Sequence, residues 1–99
     1  MYAVIFTARV GDQDHHYGDM AGRLRDLAMA EFGCTEFVSV TEGEQEIAIS
    51  YWPDQDAILA WKQQAQHRVA QQLGRDGWYT HYKVEVVKIL RSYSAEAGV

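Results

Sequence analysis

Gln45-Glu46-Ile47-Ala48-Ile49-Ser50-Tyr51-Trp52-Pro53-Asp54 is the stretch on which the fold turns. Ile47, Ile49 and Tyr51 alternate with Ala48, Ser50 and Trp52, the two-residue period of a β-strand over 45–52. Pro53-Asp54 then starts a helix, with Asp54 as its N-cap. Ala57, Ile58, Trp61, Ala65, Val69 and Leu73 follow helical spacing to about residue 73, where Gly74 and Gly77 interrupt the pattern.

Working outward, Glu42-Gly43-Glu44 reads as a hairpin connection back to a strand over 35–41. Before that, Tyr17, Met20, Ala21, Leu24, Leu27 and Ala28 recur at three- and four-residue steps, one face of an amphipathic helix within 15–31. Gly33 is its stop signal, and Gly11-Asp12-Gln13-Asp14 is the turn that leads into it. Residues 2–10 open the chain as a strand, and 81–91 close it as another. The order β-α-β-β-α-β predicts an α+β, ferredoxin-like antiparallel sheet with two helices on one face. At 99 residues the chain is expected to be one domain, 1–99, with its core at about 2–93.

The apolar pattern of the strands asks for more than two helices. Tyr2, Val4 and Phe6 share one face of the first strand, and Ala3, Ile5 and Thr7 share the other. Tyr82, Val84 and Val86 oppose Val87 and Ile89 in the last strand in the same way. Helices cover only one side of such a sheet, so the second apolar face needs another cover. A second copy of the chain is the simplest one, which predicts a twofold homodimer.

Composition narrows the function. The apolar and aromatic share of 47% is ordinary for a globular domain and argues against disorder. A net charge of −5 with no Lys or Arg run excludes a nucleic-acid interface built on a basic stripe. The acidic side chains are expected to be solvated surface. Cys34, the single cysteine, forms no intrachain disulfide and reads as a small buried residue. The apolar run at Tyr2–Phe6 is too short to span a bilayer and lacks a basic leader, so no membrane role and a cytoplasmic location are expected. Phosphate loops, a GxSxG nucleophile elbow and flavin or nicotinamide fingerprints are all missing.

Ile49-Ser50-Tyr51-Trp52-Pro53-Asp54-Gln55-Asp56-Ala57 resembles the strand-to-helix signature of the antibiotic biosynthesis monooxygenase family, in which an aromatic pair ends the third strand. Ala60-Trp61-Lys62 with His67, the segment from Gly74 to Tyr79, and Arg91-Ser92-Tyr93 resemble a bacterial branch related to haem-degrading monooxygenases. The resemblance covers roughly residues 2–93. It implies a dimeric α+β barrel with a pocket between helices and sheet in each subunit. It also implies oxygenation of an aromatic or electron-rich small molecule without metal or flavin, the substrate itself supplying electrons to dioxygen.

Haem is the alternative cofactor, and a non-catalytic small-molecule-binding dimer is the alternative role. The haem-degrading branch uses a helix Trp, a His ten residues later and an Asn on the first strand. Trp61 matches the first, Gln71 stands at the second, and the chain has no Asn.

The expected site follows. His67 is the candidate general base, since imidazole titrates near neutrality; its plain alternative is an exposed helix position. Trp61 is the candidate pocket wall, or otherwise core packing. Trp52, Tyr51, Trp78 and Tyr82 are expected to line the pocket, with Trp52, Trp78, Tyr79 and Tyr82 clustered at one end of the sheet. Arg9 is the candidate partner for negative charge on the substrate, and a Tyr hydroxyl the donor to an oxyanion. No metal ligand set is expected: His15-His16 lacks the spacing that would put two ligands on one helix face.

Overall fold

The computed structural model describes residues 1–10, 15–64 and 79–96, and side chains within them except at 10–20, 79 and 80. Its elements are β1 (Tyr2–Val10), α1 (His15–Glu31), β2 (Glu36–Glu42), β3 (Gln45–Trp52), α2 (residues 55–64) and β4 (Tyr79–Lys88). The four strands form one sheet in the order β2-β3-β1-β4, antiparallel throughout. This is the ferredoxin-like α+β arrangement that the chain order predicts.

Registers place every strand residue on a face. Val4 lies opposite Ser50 on one side and Val86 on the other, and Phe37 lies opposite Ser50. Successive strand residues point to opposite faces, so Tyr2, Val4, Phe6 and Ala8 share a side with Glu46, Ala48, Ser50 and Trp52. Both helices sit here. Ala28 of α1 and Ile58 of α2 bury against Val4, Trp52 and Cys34, with Phe32, Phe37, Ala57 and Trp61 packed around them.

Local chemistry sets the joints. The Ala28 carbonyl accepts from the Phe32 and Cys34 amides at 3.2 and 3.1 Å as the chain turns back through Gly33. Gly33 has φ +81°, a left-handed conformation that glycine alone adopts without cost. Asp54 accepts from the Ala57 amide through Oδ1 at 2.8 Å, the N-cap bond that the sequence predicts. Gly43, with φ +61°, turns the β2–β3 hairpin.

Differences from expectation are local. β4 begins at Tyr79 and ends at Lys88 instead of spanning 81–91. Its partner β1 starts at Tyr2, which pairs with Lys88, so the ladder runs out. Beyond it one bond remains, from the Ile89 amide to the Met1 carbonyl at 3.1 Å. His15 and His16 are the first residues of α1. The turn at 11–14, the second half of the predicted second helix, Gln71, Gly74 and Gly77 lie outside the described residues, as do the side chains of Tyr17 and Met20.

The face turned away from the helices carries Ala3, Ile5 and Thr7 of β1, Ile47, Ile49 and Tyr51 of β3, Val38 and Val40 of β2, and Val87 of β4. Val40 is 62% exposed and Val38 49%. The two-sided apolar pattern of the sequence is therefore real, and this chain leaves the second side bare. Among the described residues no helix is long and apolar enough to cross a membrane.

Candidate functional site

The site residues named from the sequence separate into three places. Trp52 and Trp61 meet on the helix side, with ring centroids 5.3 Å apart, and Phe37 meets Trp61 edge-on at 6.1 Å. Trp52 is fully buried, and its indole N–H donates to Ser50 Oγ at 2.8 Å. The Trp61 N–H donates to the Leu24 carbonyl at 3.2 Å, tying α2 to α1. Trp52 is thus core, whereas Trp61 keeps a half-buried ring between core and surroundings.

Tyr82 also lies on the helix side, but at the far end of the sheet. It pairs with Ala8 while Trp52 pairs with Tyr2, six positions along β1 or roughly 20 Å away. The expected clustering of Trp52 with Tyr82 at one end does not occur. Tyr82 instead stacks on Phe6, with centroids 6.1 Å apart and planes 26° from parallel.

Tyr51 and Arg9 are on the opposite face. Tyr51 follows the register of Ala3, and Arg9 that of Gln45 and His81. Arg9 NH1 lies 3.4 Å from Glu44 Oε2, both side chains well exposed. A pocket between helices and sheet therefore excludes both residues, because strand alternation puts Tyr51 and Trp52 back to back. His81 is exposed on that same outer face. A shallow depression of about 350 Å³ also lies there, lined by Val40, Glu42, Gln45 and Ile47. His67 and Trp78 lie outside the described residues.

Glu46 is the residue that sequence reasoning missed. It is only 7% exposed, on the helix side of β3, between Ala8 of β1 and Thr41 of β2. Burial pushes its carboxyl above the ordinary carboxylate range. The signal was available: Glu46 is in phase with Ala48, Ser50 and Trp52. Cys34, by contrast, is a buried free thiol. Burial raises its thiol, outweighing the backbone bonds from Tyr51 and Glu36, and its Sγ donates to the Glu36 carbonyl at 3.2 Å.

No family model matches the chain. It is 38% identical over 91 residues to the uncharacterized protein YqjZ of Bacillus subtilis, covering 91% of this chain and 80% of that one. It is 30% identical over 96 residues to a jasmonate monooxygenase, ABM, of Pyricularia oryzae, covering 93% of this chain and 45% of that protein's length. A solved structure of an antibiotic biosynthesis monooxygenase superposes with a TM-score of 0.68 at 14% identity, covering 92% of this chain and all of that one (100%). The chain is a relative of YqjZ and has the fold of the antibiotic biosynthesis monooxygenases.

Other structures of this fold differ in chemistry. A variant of SnoaB, a cofactor-independent oxygenase from Streptomyces nogalater, superposes with a TM-score of 0.72 at 13% identity, over 92% of this chain and 94% of that one. A variant of MhuD with two manganese protoporphyrin IX bound per active site superposes with a TM-score of 0.55 at 15% identity, over 94% and 99%. At such identities the likeness is one of fold. Among the described residues, the Cys34 thiol donates to the Glu36 carbonyl, and His81 faces away from the helices.

Proposed function

We infer that the chain is a monooxygenase that oxygenates an aromatic or electron-rich small molecule between its helices and its sheet, without metal, flavin or haem, and that it works as a homodimer. The observation that carries this reading is the aromatic lining of the helix side. The half-buried Trp61 ring and the Phe6–Tyr82 stack offer flat surfaces suited to a planar ligand. The kinship with a jasmonate monooxygenase supports the reaction type.

The chemistry balances with dioxygen as the only co-reactant. A substrate with a CH₂ activated by conjugated rings loses a proton to a base. The resulting carbanion gives its electrons to dioxygen. One oxygen atom ends as the new C=O, the other leaves as water with the two hydrogens. The protein has to hold the ring, accept the proton and stabilise the enolate oxygen. In this reading Trp61 walls the ring, while Tyr82, roughly 20 Å along the sheet, lies beyond reach of the same ligand. His67 is the base named from the sequence, and Trp78 completes the lining.

Oxygen uptake tests the proposal. Purified, chelator-treated protein is expected to consume dioxygen with anthrone and to form the anthraquinone. Trp61→Phe should lower turnover by about tenfold or more, since misplacing a ring near the reacting atoms costs orientation. No uptake above the buffer rate with anthrone-type substrates removes the proposed activity. Turnover unchanged in both Trp61→Phe and His67→Ala removes those two residues from their roles.

A further inference from the structure

The outer face of the sheet carries its charges in a pattern. Read in register from β2 through β3 and β1 to β4, one middle row is Val40, Ile47, Thr7 and Lys83. The next is Val38, Ile49, Ile5 and Glu85. Both rows are uncharged over three strands and end in a charge on β4, positive in one and negative in the other. Lys83 Nζ lies 3.3 Å from Glu85 Oε1, and both side chains are more than half exposed. So exposed a pair adds little to the stability of one copy.

A second copy stacks on this face with its twofold axis either along the strands or across them. With the axis along the strands, β2 of one copy lies over β4 of the other. Lys83 then presses on Val40 and Glu85 on Val38, which strips water from charges against aliphatic side chains. Moving that axis over β3 leaves β4 outside and only three strands in the joint. Four strands about 4.8 Å apart and four rows about 6.8 Å apart give a footprint of roughly 500 Å², and three strands give roughly a quarter less. A stable joint takes about 800 Å² of accessible surface from each partner, so the fourth strand is needed. With the axis across the strands, each strand lies over its own copy and the middle rows exchange. Val40 meets Val38 of the second copy, Ile47 meets Ile49, Thr7 meets Ile5, and Lys83 meets Glu85. The like-charge encounter in this arrangement, Glu42 with Glu36, falls at an exposed corner of β2, where salt and water screen it.

We propose that Lys83 and Glu85 fix how this chain recognises a second copy of itself, each facing its opposite charge across a twofold axis perpendicular to the strands, β4 over β4. The inference rests on the homodimer reading and adds the orientation of the two sheets and the residues that set it. Stacked sheets lie about 10 Å apart, a gap that a lysine and a glutamate reaching towards each other bridge. The pair within each copy becomes one side of a square of four alternating charges. At the edge of the joint such a square selects orientation and partner more than it adds affinity.

Charge reversal tests the pairing. By sedimentation, Lys83→Glu and Glu85→Lys are each expected to dimerise about tenfold or more weakly than the wild type, because the square then holds a single sign. Mixed in equal amounts, one of them labelled with nitrogen-15, the two variants are expected to form the heterodimer about tenfold or more in excess over either homodimer. Native mass spectrometry resolves the three species. A pair acting only within each chain gives no such preference, because both variants have lost it. Circular dichroism checks that each variant folds.

A statistical mixture, or single variants as tightly paired as the wild type, overturns the β4-over-β4 pairing and leaves the homodimer reading standing. A wild type that stays monomeric overturns both.

Discussion

Glu46 has a consequence for stability. Its carboxyl titrates above its ordinary value of 4.5 because burial penalises the charged form. The folded chain therefore holds that proton more tightly than the unfolded chain. The stability this contributes is complete below about pH 4.5 and is lost as pH rises through the raised folded value. Glutamine has no charge to bury. Glu46→Gln is expected to gain on the wild type as pH rises from about 4.5 towards neutrality, and to run parallel to it above the folded value. Urea midpoints at several pH values measure this. A difference that is flat across the range means that Glu46 carries no raised titration. Composition hid the residue, since acidic side chains are mostly surface. Its phase within β3 was the one local clue, because every other residue in that phase from Ala48 to Trp52 is core.

At the scale of elements, periodicity read well and facing read less well. α1 spans His15–Glu31 and β3 spans Gln45–Trp52, as their spacing predicts, because each has one side turned to the core. The β4 boundary was not legible, since it depends on where β1 begins and not on β4's own residues. Aromatic content misled the site assignment. Tyr51 and Trp52 are neighbours in sequence and for that reason occupy opposite faces. Tyr82 and Trp52 belong to one face, but the antiparallel register puts them at opposite ends of it. The junction between β3 and α2 was fully legible: Asp54 caps the helix that carries Trp61. Asp54→Ala is expected to cost about 1 kcal/mol, by leaving an amide of the first turn unsatisfied. Denaturant unfolding followed by tryptophan fluorescence checks it, and an unchanged midpoint would show that the cap contributes nothing.

For the whole molecule, the decisive feature is a sheet whose helices bury residues of β1 and β3 on one side, while the other side and the β4 row Tyr82, Val84 and Val86 stay exposed. The bare side spans four strands, roughly 20 Å by 25 Å at standard strand spacings. Ile5, Val38, Val40, Ile47, Ile49 and Val87 form an apolar patch across it, with charged residues such as Lys83 and Glu85 beside it on β4. A second copy brings the same face, self-complementary across a twofold axis, and stacked sheets lie about 10 Å apart. Such packing also gives Tyr51 a setting that the helix-side pocket does not, and it closes the depression beside Val40 and Ile47. Val40 and Ile47 pair directly across β2 and β3, 62% and 37% exposed. A lysine at either position would place a charge in the middle of the joint. The wild type is expected to sediment as a dimer at low micromolar concentration, and Ile47→Lys as a folded monomer or a dimer weakened by about 100-fold or more, the cost of truncating complementarity at an interface centre. A wild type that stays monomeric under those conditions, with normal circular dichroism, would mean that water tolerates this face, and the barrel-like pairing would have to be abandoned.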